Sequence, residues 1–393
     1  MMFPPGMVNE PFALSLLKSV LVHIDIADKL PYQMEEAIEH WTEANGLVFI
    51  RFVPGIAAVA LILLSAFNAF AQSAAPKPPG RLVDVGGYRL HLNCTGAGRT
   101  AVVLIAGAGD FSFDWSLVQT PASRFARVCS YDRAGLAWSD LGPTPRTMRQ
   151  DAYELRTLLA NAGLKPPYVL VGHSIGGLIA RVYAARYPQE VAGVVLVDST
   201  TEDTTLNYQG KLVRIRETAK GSPVPAVQTL ASSPPKPPTE DDLKQAEFNR
   251  QVFGPPKIEP PFDRLPRAVR AWRLWALSNP KLSAATEDFW AEELRELHEA
   301  RAREPRQLSG LPLLVLVGGR QEKTPPGVTA EEWQRLSEEK RQQKESLAGL
   351  STAGRLRVAE RSGHHIQLEE PGLVVEAIRE VVRPARRRIR PRR

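Results

Sequence analysis

Val169-Leu170-Val171-Gly172-His173-Ser174-Ile175-Gly176-Gly177 is the stretch around which the remainder of the chain falls into order. An apolar strand runs into a G-x-S-x-G pentapeptide, and a helix-forming stretch from Leu178 to Tyr187 follows at once. A nucleophile elbow needs that context, because a sharp strand-to-helix turn lifts the serine hydroxyl above the sheet in strained backbone. Gly172 and Gly176 leave room for such a turn, and Gly177 lets the helix pack closely on the strand. Free N–H groups at the helix start also face the place where negative charge would develop. An incidental serine in a Gly-rich turn is the plainer alternative, and the flanking strand and helix argue against it.

Outward from this turn, short apolar runs alternate with helical stretches. Upstream, Arg81–Val85, a turn at Gly86-Gly87 and Tyr88–Cys94 read as a β-hairpin. Ala101–Ile105 and Arg127–Tyr131 follow as strands, and Met148–Asn161 as a helix. The solid apolar runs are those of strands buried on both faces. Val191–Val197 is the strand after the elbow helix. Residues 200–310 contain no convincing strand and many prolines, with helical segments at Asp241–Phe253, Pro266–Leu277 and Glu287–Arg303. The alternation resumes with strand Leu311–Val317, helix Glu331–Leu347, short strand Leu356–Ala359 and helix Leu373–Val382. This order predicts an α/β protein with a mostly parallel sheet, helices on both faces and one helical insertion.

Composition excludes several classes. With 393 residues, 43% of them hydrophobic, the chain can hold two domains or one large α/β domain with an insertion. Its net charge of +7 is that of residues 383–393, which hold seven arginines and no acid. That basic tail reads as a disordered, solvated end, with a weak anionic-membrane contact as the alternative. No nucleic-acid partner is expected, since no zinc-finger, RNA-recognition or basic-zipper signature accompanies it. Two cysteines, Cys94 and Cys129, exclude a disulfide-dense scaffold or a cysteine zinc site.

Residues 1–79 read as a leader ending in a Pro-rich linker. Leu47 to Ala71 is nearly all apolar, with Arg51 as its one charge. Val53–Ala71 fits an export signal with Ala69-Phe70-Ala71 as its cleavage site, and is also about long enough to span a bilayer. The expectation is a protein exported to the periplasm or medium, or anchored to a membrane through 47–71. Whether the leader is cleaved, and whether the true start lies near Leu47, stays open.

A serine hydroxyl needs a base to take its proton. The candidate is His364 in Ser362-Gly363-His364-His365-Ile366, on the loop after the last strand; His365 is expected to pack nearby and His173 to be a structural neighbour. The histidine needs a carboxylate to fix its tautomer. Asp198, directly after Val191–Val197, is favoured over Glu322, which follows the next strand. For the oxyanion, the expected donors are the N–H of Ile175, next after the serine, and that of Ala108 in the loop after Ala101–Ile105.

These residues together resemble the α/β-hydrolase superfamily, most closely its bacterial esterase-like, capped members. The order Ser174, Asp198, His364 fits it, as do the Ala106-Gly107 loop, the Tyr131-Asp132-Arg133-Ala134-Gly135 turn, and Gly363-His364 with Glu369-Glu370-Pro371 beyond. The resemblance implies an eight-stranded α/β-hydrolase core over 80–199 and 311–382, with 200–310 as a helical cap inserted after strand 6. Two departures are visible: the usual His-Gly before the oxyanion loop is Ala106-Gly107, and the acid common after the seventh strand is not an aspartate here. Family topology also sets the second strand beside the fourth, which implies a Cys94–Cys129 disulfide if the domain is exported; two separate thiols are the alternative.

The expected reaction is hydrolysis of a small carboxylic ester, with an apolar acyl group, through an acyl-enzyme on Ser174. It requires neither metal nor organic cofactor. Trp272 and Trp275, three apart on one cap helix, are expected to line the acyl pocket with Trp290 nearby; docking of the cap is their other reading. Rival readings are an acyltransferase, a carbon–carbon hydrolase or a cofactor-free peroxidase on the same site, or a non-catalytic ligand-binding protein.

Overall fold

The computed structural model describes residues 75–208, 210–229, 237–285, 290–321 and 323–389. The apolar leader segment 47–71, Glu322 and the last four residues of the basic tail lie outside the described residues.

Strands β1 (Arg81–Asp84), β2 (Arg89–Thr95), β3 (Ala101–Ile105), β4 (Arg127–Tyr131), β5 (Tyr168–His173) and β6 (Val191–Val197) come first in the chain. The two-stranded pair β7 (Thr205–Tyr208) and β8 (Lys211–Arg214) precedes β9 (Leu313–Gly318) and β10 (Gly354–Ala359). Eight of them form one sheet in the order β1-β2-β4-β3-β5-β6-β9-β10. Only β2 runs against its neighbours, pairing antiparallel with β1 and β4; the remaining pairs are parallel. This is the α/β-hydrolase architecture. β3, β5 and β6 are buried along their whole length, which is why they read as unbroken apolar runs.

The period of two sorts their side chains between layers. Val103, Leu170, Val194 and Leu196 pack toward helices α2 (Met148–Asn161) and α3 (Ile175–Arg186). Val102, Leu104, Val169 and Val171 face α1 (Ser116–Ala122) and the C-terminal helix on the other side, with Val118, Val374 and Ile378 as partners. The sequence thus places one helix layer on each sheet face, as predicted. Cys94 and Cys129 are register partners across β2 and β4 and are joined as a disulfide.

The insertion after β6 carries helices α4 (Glu240–Phe253), α5 (Arg267–Leu277) and α6 (Trp290–Arg303). Contrary to the reading of 200–310 as strandless, it opens with the β7–β8 hairpin. Each arm is four residues long, too short for an alternation pattern to stand out, and the turn is closed by Asn207 Oδ1 accepting from the N–H of Gly210, at φ 84°. Helix α7 (Ala330–Ser346) lies between β9 and β10; α8 (Ile366–Glu369) and α9 (Pro371–Ile389) close the chain. The tail also differs from the disordered end that its composition suggested. α9 runs on from the expected Val382 to Ile389, so 383–389 is helical backbone, in keeping with the helix propensity of arginine and alanine.

Candidate active site

Strand β5 runs into Ser174, whose backbone sits at φ 52° and ψ −125°, a region that L-residues rarely adopt. Such a conformation costs about 1–3 kcal/mol and persists only where the surroundings impose it. Here its N–H donates to the Val197 carbonyl at 3.2 Å, and its own carbonyl accepts from Gly177 and Thr200 N–H groups at 3.0 and 3.1 Å. The glycines are required sterically. A Cβ on Gly172 would lie 2.3 Å from the Gly176 carbonyl oxygen, one on Gly176 would lie 2.4 Å from that of Ile105, and one on Gly177 would strike the Ser199 hydroxyl.

Asp198 lies one strand over, at the end of β6, and its carboxylate is saturated. Oδ1 accepts from the Gly318 N–H at 3.0 Å, while Oδ2 receives His364 Nδ1 at 2.6 Å and Lys344 Nζ at 2.6 Å. Burial alone would raise this carboxyl. The Lys344 ammonium, then His364 and the Gly318 N–H, more than offset that and hold it well below the usual carboxylate range. His364 is presented by the loop after β10. There Gly363 N–H donates to Glu369 at 2.7 Å and the Ser362 hydroxyl to Glu370 at 2.8 Å, so the Glu369-Glu370 pair folds the loop over the sheet edge.

Ser174, Ile175, Ala108, Thr200, Lys344 and His364 all line one cavity of about 1360 Å³, roofed by cap residues that include Leu277, Leu282 and Trp290. His364 and Asp198 are brought into direct contact. Ser174 and His364 share the cavity, but the serine hydroxyl is turned toward Thr200 Oγ1 at 3.2 Å, and no hydrogen bond joins it to His364 among the described residues. Serine–histidine contacts are often loose without substrate and tighten on binding.

The oxyanion loop is fixed from behind. The Gly107 carbonyl accepts from Arg133 Nη2 at 3.1 Å and from the Asp110 N–H at 3.3 Å. A planar trans peptide points its N–H opposite its carbonyl, so pinning the Gly107 oxygen sets the direction of the Ala108 N–H. Asp110, three residues on, faces His173 Nδ1 at 3.2 Å and His365 Nε2 at 3.9 Å, and His173 Nε2 donates to the His364 carbonyl at 2.9 Å. These three side chains bring a carboxylate oxygen and two ring nitrogens within 4.8 Å of one another, the sort of set that can hold a cation. The Arg273 guanidinium, 3.4 Å from Asp110 Oδ1, already offsets that charge. We therefore read the cluster as a tie between the oxyanion loop, the elbow and the histidine loop. Burial pushes the His173 ring down and the His365 ring to about 3. Burial would raise Asp110, but His173 and Arg273 keep it below the ordinary range.

Trp272 and Trp275 are not where the sequence suggested. They pack against Trp138 at ring separations of 5.5 and 5.4 Å, and Trp272 also meets Phe113; neither lines the cavity. Their helix α5 presents its apolar face to the core, so they dock the cap, assisted by Arg273, which pairs with Asp114 and lies 3.4 Å over the Phe262 ring. Of the cap tryptophans, Trp290 reaches the cavity. Sequence reasoning missed Thr200, Lys344 and Asp110. Arg133 lies within the Tyr131–Gly135 turn, where nothing in the local pattern marks its contact with the oxyanion loop.

A Ser on a strained strand-to-helix turn, set in an eight-stranded mostly parallel sheet beside a histidine–carboxylate pair, defines the α/β-hydrolase class. Residues 102–377 match the model of the alpha/beta hydrolase family, and the chain belongs to that family. It is similar to an AB hydrolase superfamily protein of Gibberella zeae, 28% identical over 324 residues that cover 76% of this chain and 92% of that protein. It is also similar to a probable transporter, efuK, of Hormonema carpetanum, 36% identical over 131 residues. That match covers 31% of this chain and only 19% of efuK. Among solved structures, a thermophilic esterase of Thermogutta terrifontis aligns with a TM-score of 0.50 at 23% identity, over 76% of this chain and 94% of that one. That is a likeness of fold.

Proposed function

We propose that this family member is a serine hydrolase that cleaves carboxylic esters of small molecules through an acyl-enzyme. The reading rests above all on the His364–Asp198 contact at 2.6 Å, set in one cavity with a serine held at φ 52°. In the proposed reaction, Ser174 Oγ leaves Thr200, attacks the ester carbonyl and gives its proton to His364 Nε2. Asp198 holds Nδ1–H, fixing the tautomer and stabilising the imidazolium. The N–H groups of Ile175 and Ala108 receive the developing oxyanion. His364 then protonates the leaving alcohol, and a water molecule deprotonated by His364 releases the acid. The apolar wall of Leu136, Leu277, Leu282 and Trp290 suits an apolar acyl group.

The Cys94–Cys129 disulfide supports work outside the reducing cytoplasm, and so the reading of 47–71 as an export or anchoring segment. Among the described residues no helix is long and apolar enough to cross a membrane.

A panel of aryl esters of increasing acyl length tests the activity. Hydrolysis by the wild type, absent in Ser174→Ala, is expected; equal turnover in both proteins would reject the reading.

A further inference from the structure

We propose that Lys344 is a positioning residue that offsets the charge of Asp198, so that His364 remains an unprotonated base to lower pH than a histidine facing an unopposed carboxylate. The inference rests on the reading of His364 as the general base.

In a serine–histidine–carboxylate set, the acid's negative charge favours the protonated ring. Here the ammonium of Lys344 sits 2.6 Å from the same Asp198 oxygen that receives His364 Nδ1, and that side chain is nearly buried. The Asp198–Lys344 pair is therefore close to neutral as seen from the ring. Among the described residues no other charge restores the missing field. The His173 and His365 rings, centred 4.7 and 5.2 Å from His364, are both pushed toward the neutral form by burial, His365 down to about 3. Asp110 behind them lies against Arg273, which it shares with Asp114, a carboxyl that burial pushes up to about 8, and under the loop Glu369 is matched by Arg320. On the cavity wall, Glu259 is paired with Lys257, and Lys340 lies over the Trp333 ring. Lys344 comes from the last turn of α7, far from the triad in sequence, and reaches into the cavity beside Thr200. A surface salt bridge would contribute little; one sharing a single buried carboxylate oxygen with the base acts on the chemistry directly.

The test is the rate of Ser174 labelling by a fluorophosphonate across pH 4–9, alongside an NMR titration of the isotopically labelled His364 ring, in wild type, Lys344→Met and Lys344→Arg. Removal of the positive charge should move the acid limb of labelling and the His364 titration curve upward by about one pH unit. Labelling on the acid side would then slow by about tenfold, while Lys344→Arg stays near wild type. If Lys344→Met does not fold, Lys344→Gln supplies the same comparison. A uniform loss of rate at every pH, with the His364 curve unmoved, would reduce Lys344 to a structural brace and overturn the proposal. The two readouts separate the two readings. A moved His364 curve in a protein that is never labelled would sustain the role of Lys344 and reject the hydrolase; labelling with an unmoved curve would do the reverse.

Discussion

At the scale of single residues, the candidate site consists of strained or crowded groups whose positions are imposed by their neighbours. Ser174, Asp198 and His364 were legible because each follows a pattern: a pentapeptide at a strand end, an acid directly after an apolar run, a histidine after glycine in the last loop. Thr200, Lys344 and Arg133 were not, since they reach the candidate site through contacts that no local pattern announces; Lys344 pairs across 146 residues and sits in a charged helix where no residue stands out. Asp198→Asn should lower turnover by about 10⁴-fold, because the ring then takes the wrong tautomer, while Glu322→Gln should leave it nearly unchanged. Steady-state kinetics of both variants check this, and the opposite ranking would move the acid. Arg133→Gln removes one of the two donors that hold the Gly107 carbonyl and so loosens the aim of the Ala108 N–H. Its kcat should fall by about 10²-fold with KM little altered.

At the scale of elements, burial decided what could be read. Strands buried on both faces declare themselves by composition, and the predicted Ala101–Ile105, Arg127–Tyr131 and Val191–Val197 match β3, β4 and β6 to the residue. The β7–β8 hairpin was invisible because two four-residue arms carry too little pattern. Trp272 and Trp275 were misplaced because helical spacing shows that two side chains share a face, and says nothing about what that face meets. The resulting contrast is testable. Trp290→Ala should change the acyl-length preference measured on the ester panel, while Trp272→Ala should lower thermal stability and leave that preference alone. At the elbow, Gly176→Ala places a methyl against backbone that cannot retreat, the Ile105 carbonyl at 2.4 Å. It should cost more than about 2 kcal/mol, read as a lowered melting temperature or loss of soluble protein.

At the scale of the whole molecule, stability should follow the buried histidine cluster and the disulfide. His365 titrates near 3 when folded and near its ordinary value when unfolded, so between those limits the unfolded chain binds more protons. Stability should therefore fall as pH drops from about 6.5 toward 3, and His365→Phe should flatten that fall in thermal melts taken at pH 7 and pH 4. The Cys94–Cys129 bridge spans 35 residues, and on a chain-entropy view a loop of that size contributes up to about 4 kcal/mol. Reductant should lower the melting temperature by several degrees.

The proposed hydrolysis requires one serine served by one histidine. It is tested most directly by intact-mass and peptide mapping after brief exposure to a fluorophosphonate at neutral pH, in wild type and His364→Gln. A single adduct on Ser174 in the wild type, formed at least about 10³-fold more slowly in the variant, is the predicted result. An adduct elsewhere, none at all in folded protein, or equal labelling of both would contradict it.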